Sequence, residues 1–337
     1  MKITSYFITG ANGFIGSSLS RELSRKGKKL TLLLHRSDDH PFLKEVIGTR
    51  VMGNILDPET FGEYLGKETC VIHCAGMVSF TQGDDEEVRR TNSQGTQKLL
   101  NICKKKKVKS LVFLSAGAVW GSTGSPHDLI TEESPKDLAT ESGYAQSKIE
   151  AEAACREAAR DGLDVKIVNP ATVYGAGDLL LHAGGKVVKE VGERGIRLIP
   201  PGGTSWIAIE DLIHGILLTI KQGRSGQNYI LSAGNIPYRE LFPLIAGACD
   251  LKGRGMVISP RLRIPLVATA KLMEKGSSLL NRGGSISPFQ IEESFRYKYF
   301  NASKAREKLG FIPRVGLEKA VQKVLTFNQL HDSGENI

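Results

Sequence analysis

The sequence contains few cysteines and no long uninterrupted apolar run. Its 5 cysteines among 337 residues are scattered, without a Cys-x-x-Cys pair or a neighbouring histidine cluster, which argues against a metal site and against a disulfide framework. The apolar stretch 262–280 contains Arg263, Lys271, Glu274 and Lys275, and so falls short of the roughly 20 clean residues that a membrane span requires. We therefore expect buried thiols, and a packed or lid helix over this stretch.

Other absences narrow the functional class. The first six residues lead straight into an apolar run and a glycine loop, which leaves no room for a signal peptide, so we expect a cytoplasmic protein. The lysine run 104–107 lacks the aromatic or glycine pattern of a nucleic-acid module and is typical of a solvated helix end. A net charge of +9 suits an anionic ligand. We expect a small-molecule substrate and no nucleic-acid partner.

A glycine-rich loop near the start of the chain is the first positive signal. Residues 7–16 read Phe-Ile-Thr-Gly-Ala-Asn-Gly-Phe-Ile-Gly, so a short apolar run enters three glycines spaced by two residues. A strand that ends in such a loop brings backbone N–H groups close to a pyrophosphate and aims a helix N-terminus at its charge. A side chain at Gly10 would block the turn, one at Gly13 the phosphates, and one at Gly16 the contact between helix and strand. The pattern predicts a nucleotide-binding cradle.

Short apolar runs alternate with longer helical patterns up to Pro170. The predicted strands are Tyr6–Thr9, Leu30–His35, Arg50–Gly53, Cys70–Cys74, Ser110–Ser115 and Val165–Asn169. The predicted helices are Phe14–Arg25, Pro58–Tyr64, Asp85–Cys103 and Tyr144–Ala159. Near-continuous apolar strands in alternation with helices are typical of a parallel sheet that is covered on both faces. We therefore predict an α/β protein with a doubly wound parallel sheet, a Rossmann fold, which binds ligands at the carboxyl ends of its strands.

The pattern changes after Pro170, where glycine and proline become frequent and the alternation weakens. We predict a dinucleotide-binding domain over residues 1–170 and a smaller, mixed substrate-binding domain over residues 171–337. Residues 206–231 again read strand, helix, strand. We therefore expect the chain to return to the sheet around residues 204–232 before a C-terminal helical portion.

Tyr144 and Lys148 form the strongest chemical signal. Residues four apart lie on one face of a helix, one turn apart, so the ammonium group can act on the phenol. A cation about 4 Å away favours the phenolate by roughly 4 kcal/mol at an effective dielectric constant of about 20, which brings proton exchange towards neutral pH. For the pair alone, a packed tyrosine ring beside a lysine stem is the alternative interpretation.

Several motifs, taken in order, resemble the extended short-chain dehydrogenase/reductase family, also known as the NAD-dependent epimerase/dehydratase superfamily. They are Gly10–Gly16, His73–Gly76, Thr91–Asn92 with Gly95–Thr96, Tyr144–Lys148, Asn169–Gly175, Phe300–Ala305 and Leu309–Phe311. Their order and spacing match over nearly the whole chain. The stretches Ala75–Phe80, Val168–Pro170 and Gly226–Leu231 resemble the dihydroflavonol-reductase-like branch, whose members reduce carbonyls.

The resemblance implies an oxidoreductase that binds a nicotinamide cofactor, and a homodimer. Tyr144 would be the general acid or base, while Lys148 would hold the nicotinamide ribose and lower the pKa of the tyrosine. The matching cofactor-binding positions are Gly10, Asn12, Gly13, Phe14, Ile15, Gly16, Arg36, Asn54, Ile55, Cys74, Ala75, Gly76, Asn92, Ser115, Tyr144, Lys148, Pro170 and Val173. The matching substrate positions are Met77, Ser79, Gly117, Tyr144 and Trp206, a mostly apolar set.

The hydroxyl residue that usually completes the family's catalytic set is missing. Counting back from Gly121, which matches the family's closing glycine, places Ala116 where Ser or Thr is expected. Ser115 is the hydroxyl within reach, but a shift of one residue normally turns a strand side chain to the opposite face. A β-bulge would re-aim Ser115; otherwise backbone N–H groups, a water or Ser79 would take its role. Ser115 is thus a candidate catalytic residue, and a cofactor-binding regulator with weak or lost catalysis is an alternative.

The end of the second strand favours NADP, with NAD as the alternative. His35 and Arg36 follow this strand and offer no acid for a ribose 2′-hydroxyl, whereas the guanidinium can grip a 2′-phosphate. The stretch Thr204–Ile209 lacks the Arg-Asp pair that is common in the family's sugar-nucleotide epimerases. Our first hypothesis is therefore an NADP-dependent oxidoreductase that reduces a carbonyl or oxidises an alcohol. A nucleotide-sugar epimerase or dehydratase with tightly held NAD is the enzymatic alternative.

Overall fold

The structure is a computed structural model of the chain. It describes residues 2–35, 40–79, 83–136, 142–251, 255–280 and 288–333. Arg36, which we predict to contact the cofactor, lies outside the described residues.

The described elements alternate between strands and helices. The strands are β1 (Ser5–Thr9), β2 (Lys29–Leu34), β3 (Thr49–Met52), β4 (Thr69–His73), β5 (Ser110–Leu114), β6 (Val165–Pro170), β7 (Thr172–Tyr174), β8 (Leu198–Ile199), β9 (Gly203–Ala208), β10 (Asn228–Leu231), β11 (Gly234–Pro237), β12 (Met256–Val257) and β13 (Tyr297–Lys298). The α-helices are α1 (Phe14–Arg25), α2 (Asp85–Arg89), α3 (Gly95–Lys105), α4 (Gly143–Arg160), α5 (Ala183–Arg194), α6 (Ile209–Gln222), α7 (Tyr238–Ala248), α8 (Arg263–Leu280), α9 (Pro288–Ser294), α10 (Ser303–Leu309) and α11 (Leu317–Ser333).

The main sheet has seven parallel strands in the order β10-β6-β5-β4-β1-β2-β3. The order reverses at β1, because Ser5 pairs with Lys29 of β2 on one side and with Thr69 of β4 on the other. In an open parallel sheet, ligands bind outside the carboxyl ends of the strands at such a reversal. The predicted doubly wound fold is confirmed, and its reversal lies where the glycine loop follows β1.

Both faces of this sheet are buried. Ile72 of β4 belongs to an apolar cluster that includes Leu19 of α1, whereas the preceding Val71 belongs to the opposite cluster, with Leu99 of α3. Every residue of β4 and β5 is buried, which explains why these strands read as continuous apolar runs rather than as alternating patterns.

A second sheet gathers strands from the C-terminal half. β9 pairs antiparallel with β11 and parallel with both β7 and β13. Our expectation of a return to the main sheet around residues 204–232 therefore holds for β10 and not for the strand before α6, because β9 joins the second sheet. β8 and β12 form a separate parallel pair. The division of the chain at residue 170 into two domains remains a proposal.

Helical segments differ locally from the sequence pattern. Residues 58–64 form two 3₁₀ turns, Pro58–Thr60 and Gly62–Tyr64, rather than one helix. The helix expected over residues 85–103 is divided, since the π-helical turn Arg90–Gln94 joins α2 to α3.

The apolar stretch near residue 270 forms the expected helix, α8. Ala270 of this helix is buried, whereas Ile264 and Leu272 are 73% and 72% exposed, and the expectation of a packed or lid helix stays a prediction. Within the described residues, no helix combines the length and the apolar character needed to cross a membrane.

Candidate active site

The glycine loop holds β1, α1 and β4 in close contact. Gly10 has φ +63°, and a Cβ there would lie 2.7 Å from the backbone of Ala75 after β4. A Cβ on Gly16 would lie 2.1 Å from the Gly10 carbonyl oxygen, so this glycine lets α1 approach the strand. α1 begins at Phe14 after Gly13, and no side chain caps its first turn. The uncapped N–H groups and the bare backbone fit a pyrophosphate.

A cleft of about 830 Å³ opens over this loop. Ten of its lining residues are predicted site residues: Gly10, Asn12, Gly13, Asn54, Ile55, Cys74, Ala75, Gly76, Met77 and Ser79. The structure therefore brings together the ends of β1 and β4 with the segment that follows β3. Its size is within the range of small-molecule and cofactor sites.

The floor of the cleft rests on a buried histidine. Thr9 Oγ1 lies 2.7 Å from His73 Nδ1, and Thr96 Oγ1 lies 3.0 Å from His73 Nε2. Burial and the nearby Lys148 lower the pKa of His73 to about 3, so the ring stays neutral. Thr9 also accepts the N–H of Ala75. His73 thus fixes the strand end beneath the cleft and does not act as a proton donor at neutral pH.

Asn92 fastens one wall of the cleft to α4. Its side-chain oxygen accepts the N–H of Met77 at 2.8 Å, and its Nδ2 donates to the Met77 carbonyl at 2.9 Å. The same Nδ2 lies 3.0 Å from Ser147 Oγ, which is between Tyr144 and Lys148 in sequence. The predicted cofactor position Asn92 therefore braces the cleft wall, and the wall keeps a fixed distance from the helix that carries the Tyr-Lys pair.

Lys148 lies directly under the cleft. Its Nζ donates to the Leu114 carbonyl at 2.9 Å and lies 4.9 Å from the centre of the Phe113 ring. A Cβ built on Gly76, which lines the cleft, would lie 3.2 Å from this Nζ. Burial lowers the pKa of Lys148 to about 8, although the thiols of Cys74 and Cys155 and the Glu152 carboxylate oppose the shift.

Tyr144 stands near the start of α4, where Ser142 caps the helix by accepting the N–H of Ala145. The Tyr144 side chain is buried, and burial raises its pKa above the ordinary value of 10.0. The expected lowering of the tyrosine pKa by Lys148 is therefore absent in this arrangement, where the lysine donates to a backbone carbonyl. Tyr144 is therefore a neutral phenol at neutral pH, and its burial makes it a weaker acid than a free tyrosine.

Ser115 points to a buried carboxylate. Its Oγ donates to Glu152 Oε1 at 2.6 Å, and Asn169 Nδ2 donates to the same oxygen at 2.6 Å. The other oxygen of Glu152 pairs with Lys136 and Arg156. Burial alone would raise the pKa of Glu152, but Lys136 and the hydrogen bonds from Ser115 and Asn169 lower its pKa overall. Ser115 thus belongs to a charged network that joins β5, β6 and α4.

Other predicted residues stand away from the cleft wall. The ring of Phe300 lies where a Cβ on Gly117 would be, at 2.6 Å, and Trp206 lies in the second sheet beside Gly234. Neither Gly117 nor Trp206 is among the described lining residues, and the same holds for Phe14, Ile15, Gly16, Asn92, Ser115, Tyr144, Lys148, Pro170 and Val173. Lys148 thus lies beneath the described cleft, and Tyr144 is not among the residues that line it.

The structure adds lining residues that sequence reasoning missed. They are Leu180, Leu181, His182, Ala183 and Lys186 before and within α5, Glu87, Arg90 and Thr91 around α2, and Gln290 of α9. His182 stacks on Phe14 and bonds Asp178 at 2.5 Å. The sequence contains one signal for these residues, the glycine pair Gly184-Gly185. In the structure, a Cβ on Gly184 would lie 2.2 Å from the Val173 carbonyl oxygen. The glycine pair at the start of α5 lets that helix approach the Val-Tyr-Gly motif and so reach the cleft.

At the end of the cleft beyond β2 and β3, the residues that the structure describes include no carboxylate; residues 36–39 after β2, with Asp38 and Asp39, lie outside the described part of the chain. His35, Gly53, Asn54 and Ile55 line this end of the cleft, and the Asn54 side-chain oxygen accepts the N–H of Leu56 at 2.9 Å. Among the described lining residues, Glu87 supplies the single carboxylate, and it lies on α2.

Comparison with known proteins agrees with this geometry. The model of the NAD dependent epimerase/dehydratase family matches residues 6–233. The chain belongs to this family. Membership confirms the resemblance drawn from the ordered motifs.

Two curated relatives match along nearly their whole length. A Synechocystis sp. protein provisionally named dihydroflavonol 4-reductase is 27% identical over 334 residues, which are 97% of this chain and 95% of the relative. Sterol demethylase protein B of Methylococcus capsulatus is 24% identical over 310 residues, which cover 91% and 93% of the two chains. One relative named as a reductase and one named for sterol demethylation thus match more than 90% of this chain.

A solved structure shares the fold. The dTDP-glucose 4,6-dehydratase DesIV of Streptomyces venezuelae, with NAD and TYD bound, superposes with a TM-score of 0.79 at 20% identity over 98% of both chains. The fold of this chain is therefore shared with that solved structure.

Proposed function

We propose that this protein is an NADP-dependent oxidoreductase that reduces the carbonyl group of an apolar small molecule, or oxidises the corresponding alcohol. The observation that carries the proposal is the position of Lys148 and Tyr144. The Lys148 ammonium group lies immediately beneath Gly76 in the cleft wall, and Tyr144 is a protonated phenol one helical turn away. A phenol and an ammonium group on one helix, next to a nucleotide cleft, can together transfer a proton to a carbonyl oxygen.

The cradle fits a nicotinamide dinucleotide. Gly10–Gly16 and the uncapped first turn of α1 would hold the pyrophosphate. Asn54 and Ile55 would contact the adenine, and Arg36 would bind the 2′-phosphate of NADP. The absence of a carboxylate among His35, Gly53, Asn54 and Ile55 supports NADP, because NAD-binding sites usually place an acid there for the 2′-hydroxyl.

In the proposed reaction, the cofactor supplies or accepts the hydride when bound. Tyr144 donates its hydroxyl proton to the oxygen of the carbonyl group as negative charge develops on it. Lys148 would bind the ribose next to Gly76. Ser115 donates to Glu152, so we assign it to holding the strand end rather than to contact with the substrate, and its alanine variant tests this assignment.

One part of the cleft lining is apolar. Met77, Val78, Leu180 and Leu181 line it, next to Ser79, whose hydroxyl donates to Asp84 at 2.6 Å. Such a surface favours a hydrophobic carbonyl compound over a charged diphosphate sugar. The relatives named for dihydroflavonol and sterol chemistry support the same class.

The proposal is tested with NADPH and a panel of apolar ketones and aldehydes, by following the loss of NADPH absorbance. We expect turnover by the wild type and a fall of kcat by about 100-fold or more in Tyr144→Phe, because general acid catalysis contributes about 10²–10⁴-fold. Tyr64→Phe, at an exposed tyrosine, is the matched control and should retain activity.

Three outcomes would contradict the proposal. Equal rates in the wild type and Tyr144→Phe favour a cofactor-binding regulator. Conversion of nucleotide sugars without added cofactor favours an epimerase or dehydratase. NADPH affinity that is unchanged in Arg36→Ala, with NADH as the comparison ligand, removes the NADP assignment; we expect a loss of about 10-fold or more for NADPH alone, since a charge-assisted hydrogen bond contributes about 1.5–3 kcal/mol.

A further inference from the structure

Lys148 and Glu152, one turn apart on α4, bond to consecutive residues at the end of β5. Lys148 Nζ donates to the Leu114 carbonyl at 2.9 Å, and Ser115 Oγ donates to Glu152 Oε1 at 2.6 Å. All four side chains are buried. Because residues four apart lie on one face of a helix, the face of α4 that packs on this strand end carries both an ammonium group and a carboxylate.

Asn169 of β6 ties the same carboxylate to the next residue of the strand end. Its Nδ2 donates to Glu152 Oε1 at 2.6 Å and to the Ala116 carbonyl at 3.1 Å, and its Oδ1 accepts from Asn228 Nδ2 at 2.8 Å. Glu152 is therefore the group at which α4, β5 and β6 are joined. A displacement of its side chain would move the strand end to which Lys148 bonds.

Lys148 carries a buried charge, and its hydrogen bond goes to a neutral carbonyl. A buried cation is costly unless an opposite charge lies nearby. Four titratable groups close to it are uncharged at neutral pH, since burial raises the pKa of a thiol or a phenol and lowers that of an imidazole: Cys74, Cys155, Tyr144 and His73. Glu152 is ionised there, and its carboxylate opposes the lowering of the Lys148 pKa that burial causes. Among the described groups that face Lys148, Glu152 thus supplies the negative charge.

Two cations pair with the other oxygen of Glu152. Lys136 and Arg156 both bind Oε2, whereas Ser115 and Asn169 bind Oε1. The pKa of Glu152 is below its ordinary value, because Lys136 and these hydrogen bonds outweigh the effect of burial. Removal of Lys136 alone therefore leaves a carboxylate that Arg156 and the hydrogen bonds still hold ionised, and whose charge is less neutralised.

We propose that Glu152 is a positioning residue for Lys148. It holds the end of β5, where the Leu114 carbonyl orients the ammonium group, and it supplies the negative charge that keeps this group protonated in a buried site. Lys148 then presents a charged Nζ beneath Gly76, where the proposed function places the ribose of the cofactor. The inference rests on the proposed function for this last step, whereas the effect on Lys148 is measurable without a cofactor.

The competing interpretation is that Glu152 only braces the fold. Glu152→Gln keeps the shape of the side chain and an oxygen that accepts from Ser115 and Asn169, but it removes the charge. A brace alone would lose stability in this variant and leave the titration of Lys148 unchanged. A positioning residue changes that titration as well.

The test is an NMR titration of the lysine side chains in the full chain without cofactor, with the Lys148 signal assigned by its loss in Lys148→Met. The midpoint of Lys148 should be about 8 in the wild type and about one pH unit lower in Glu152→Gln, because an opposite charge one turn away is lost. Lys136→Met should move the midpoint upward, since the Glu152 carboxylate is then less neutralised. Both variants break a buried ion pair and destabilise the protein, so lost stability alone does not produce shifts in opposite directions.

Glu150→Gln is the matched control, since Glu150 lies on the same helix, is partly exposed and pairs with Arg89. It should leave the midpoint of Lys148 unchanged. Thermal melting shows which variants are folded at the temperature of the titration. If Glu152→Gln is unfolded there, the upward shift in Lys136→Met carries the test by itself.

NADPH titrations at the same pH values supply the second readout. The pH at which affinity falls should follow the midpoint of Lys148, so Glu152→Gln should bind NADPH about 5-fold more weakly than the wild type at pH 8.5, where its lysine has lost most of its charge. Equal midpoints in the wild type and in the folded variants would overturn the inference. Midpoints that move as expected, with an NADPH affinity that does not follow them, would instead contradict the ribose contact of the proposed function and leave the positioning of Lys148 established.

Discussion

The Ser115 hydroxyl donates a hydrogen bond to the Glu152 carboxylate at 2.6 Å, with both side chains buried. This bond joins the end of β5 to α4, at the residue one turn after Lys148. The family motif has a hydroxyl residue where this chain has Ala116. The hydroxyl of the preceding residue, Ser115, belongs to a structural network around a buried charge. Effects of Ser115 on stability and on catalysis can therefore be separated by experiment.

Ser115→Ala should lower the free energy of unfolding by about 1.5–3 kcal/mol, because a buried hydrogen bond to a charged group is lost. The value of kcat should change by less than about 3-fold, which is under about 1 kcal/mol of transition-state stabilisation. Urea unfolding and steady-state kinetics measure the two quantities. Ser225→Ala, whose hydroxyl bonds only the neutral backbone of Leu163 and Val165, should cost about 1 kcal/mol or less. A 100-fold loss of kcat at unchanged stability would instead make Ser115 a catalytic residue.

Glu152→Gln should destabilise the protein by about 3 kcal/mol at pH 7, since it leaves Lys136 and Arg156 without their carboxylate. The pKa of Glu152 is below its ordinary value of 4.5 in the folded protein, so its stabilisation is present above that pH and is lost as the pH falls through the folded pKa. The gap between wild type and variant should thus narrow in acid. Urea unfolding at pH 7, 5 and 4 tests this, with the part-exposed Glu150→Gln as a control that stays within about 1 kcal/mol throughout.

Lys148 should make cofactor binding depend on pH. Its pKa of about 8 means that the ammonium form dominates at neutral pH and is lost above pH 8. NADPH affinity should therefore fall about 10-fold or more between pH 7 and 9.5, whereas Lys148→Met should bind weakly and without this slope. Fluorescence titration measures both. Lys166→Met removes a buried lysine at the opposite end of the sheet, where it bonds Ser110, and a matching change of slope in that variant would refute the assignment.

Comparing Gly10→Ala with Gly27→Ala separates the loss of stability caused by a steric clash from the loss caused by backbone strain. Both glycines have positive φ, +63° and +65°, but a Cβ on Gly10 meets Ala75 at 2.7 Å while one on Gly27 meets nothing within 4 Å. Gly27→Ala should cost about 1 kcal/mol, the strain of a left-handed alanine. Gly10→Ala should cost several-fold more and abolish NADPH binding. Equal melting temperatures for the two variants would contradict this account of the loop.

Much of the fold is readable from the sequence because it depends on local patterns. α1 occupies Phe14–Arg25 as predicted, since Gly13 and the apolar spacing define its start. The strands β4, β5 and β6 are predictable because their burial on both faces requires continuous apolar runs. The nucleotide-binding cradle is predictable from the sequence because only glycine fits at positions 10 and 16, where a Cβ would clash with backbone atoms.

The remainder depends on contacts between distant residues. Glu152 accepts hydrogen bonds from Ser115 and Asn169, which are distant in the sequence. No residue spacing in the sequence predicts such a buried carboxylate. Leu181 and Lys186 reach the cleft only because α5 folds back over the glycine loop. The apolar composition of α8 predicted a packed or lid helix, but composition does not show which residues are buried: Ala270 is buried, whereas Ile264 and Leu272 are exposed.

The edge position of β10 has a consequence for biosynthesis. β10 covers β6, pairing Asn228 with Ile167 and Leu231 with Pro170. Until the ribosome has made residue 231, β6 is an open strand edge, and such edges pair readily with other chains. A nascent chain that stalls after residue 170 would therefore expose the unpaired edge of β6. A chaperone that covers β6 while residues 171–227 are synthesised should increase the yield of folded protein.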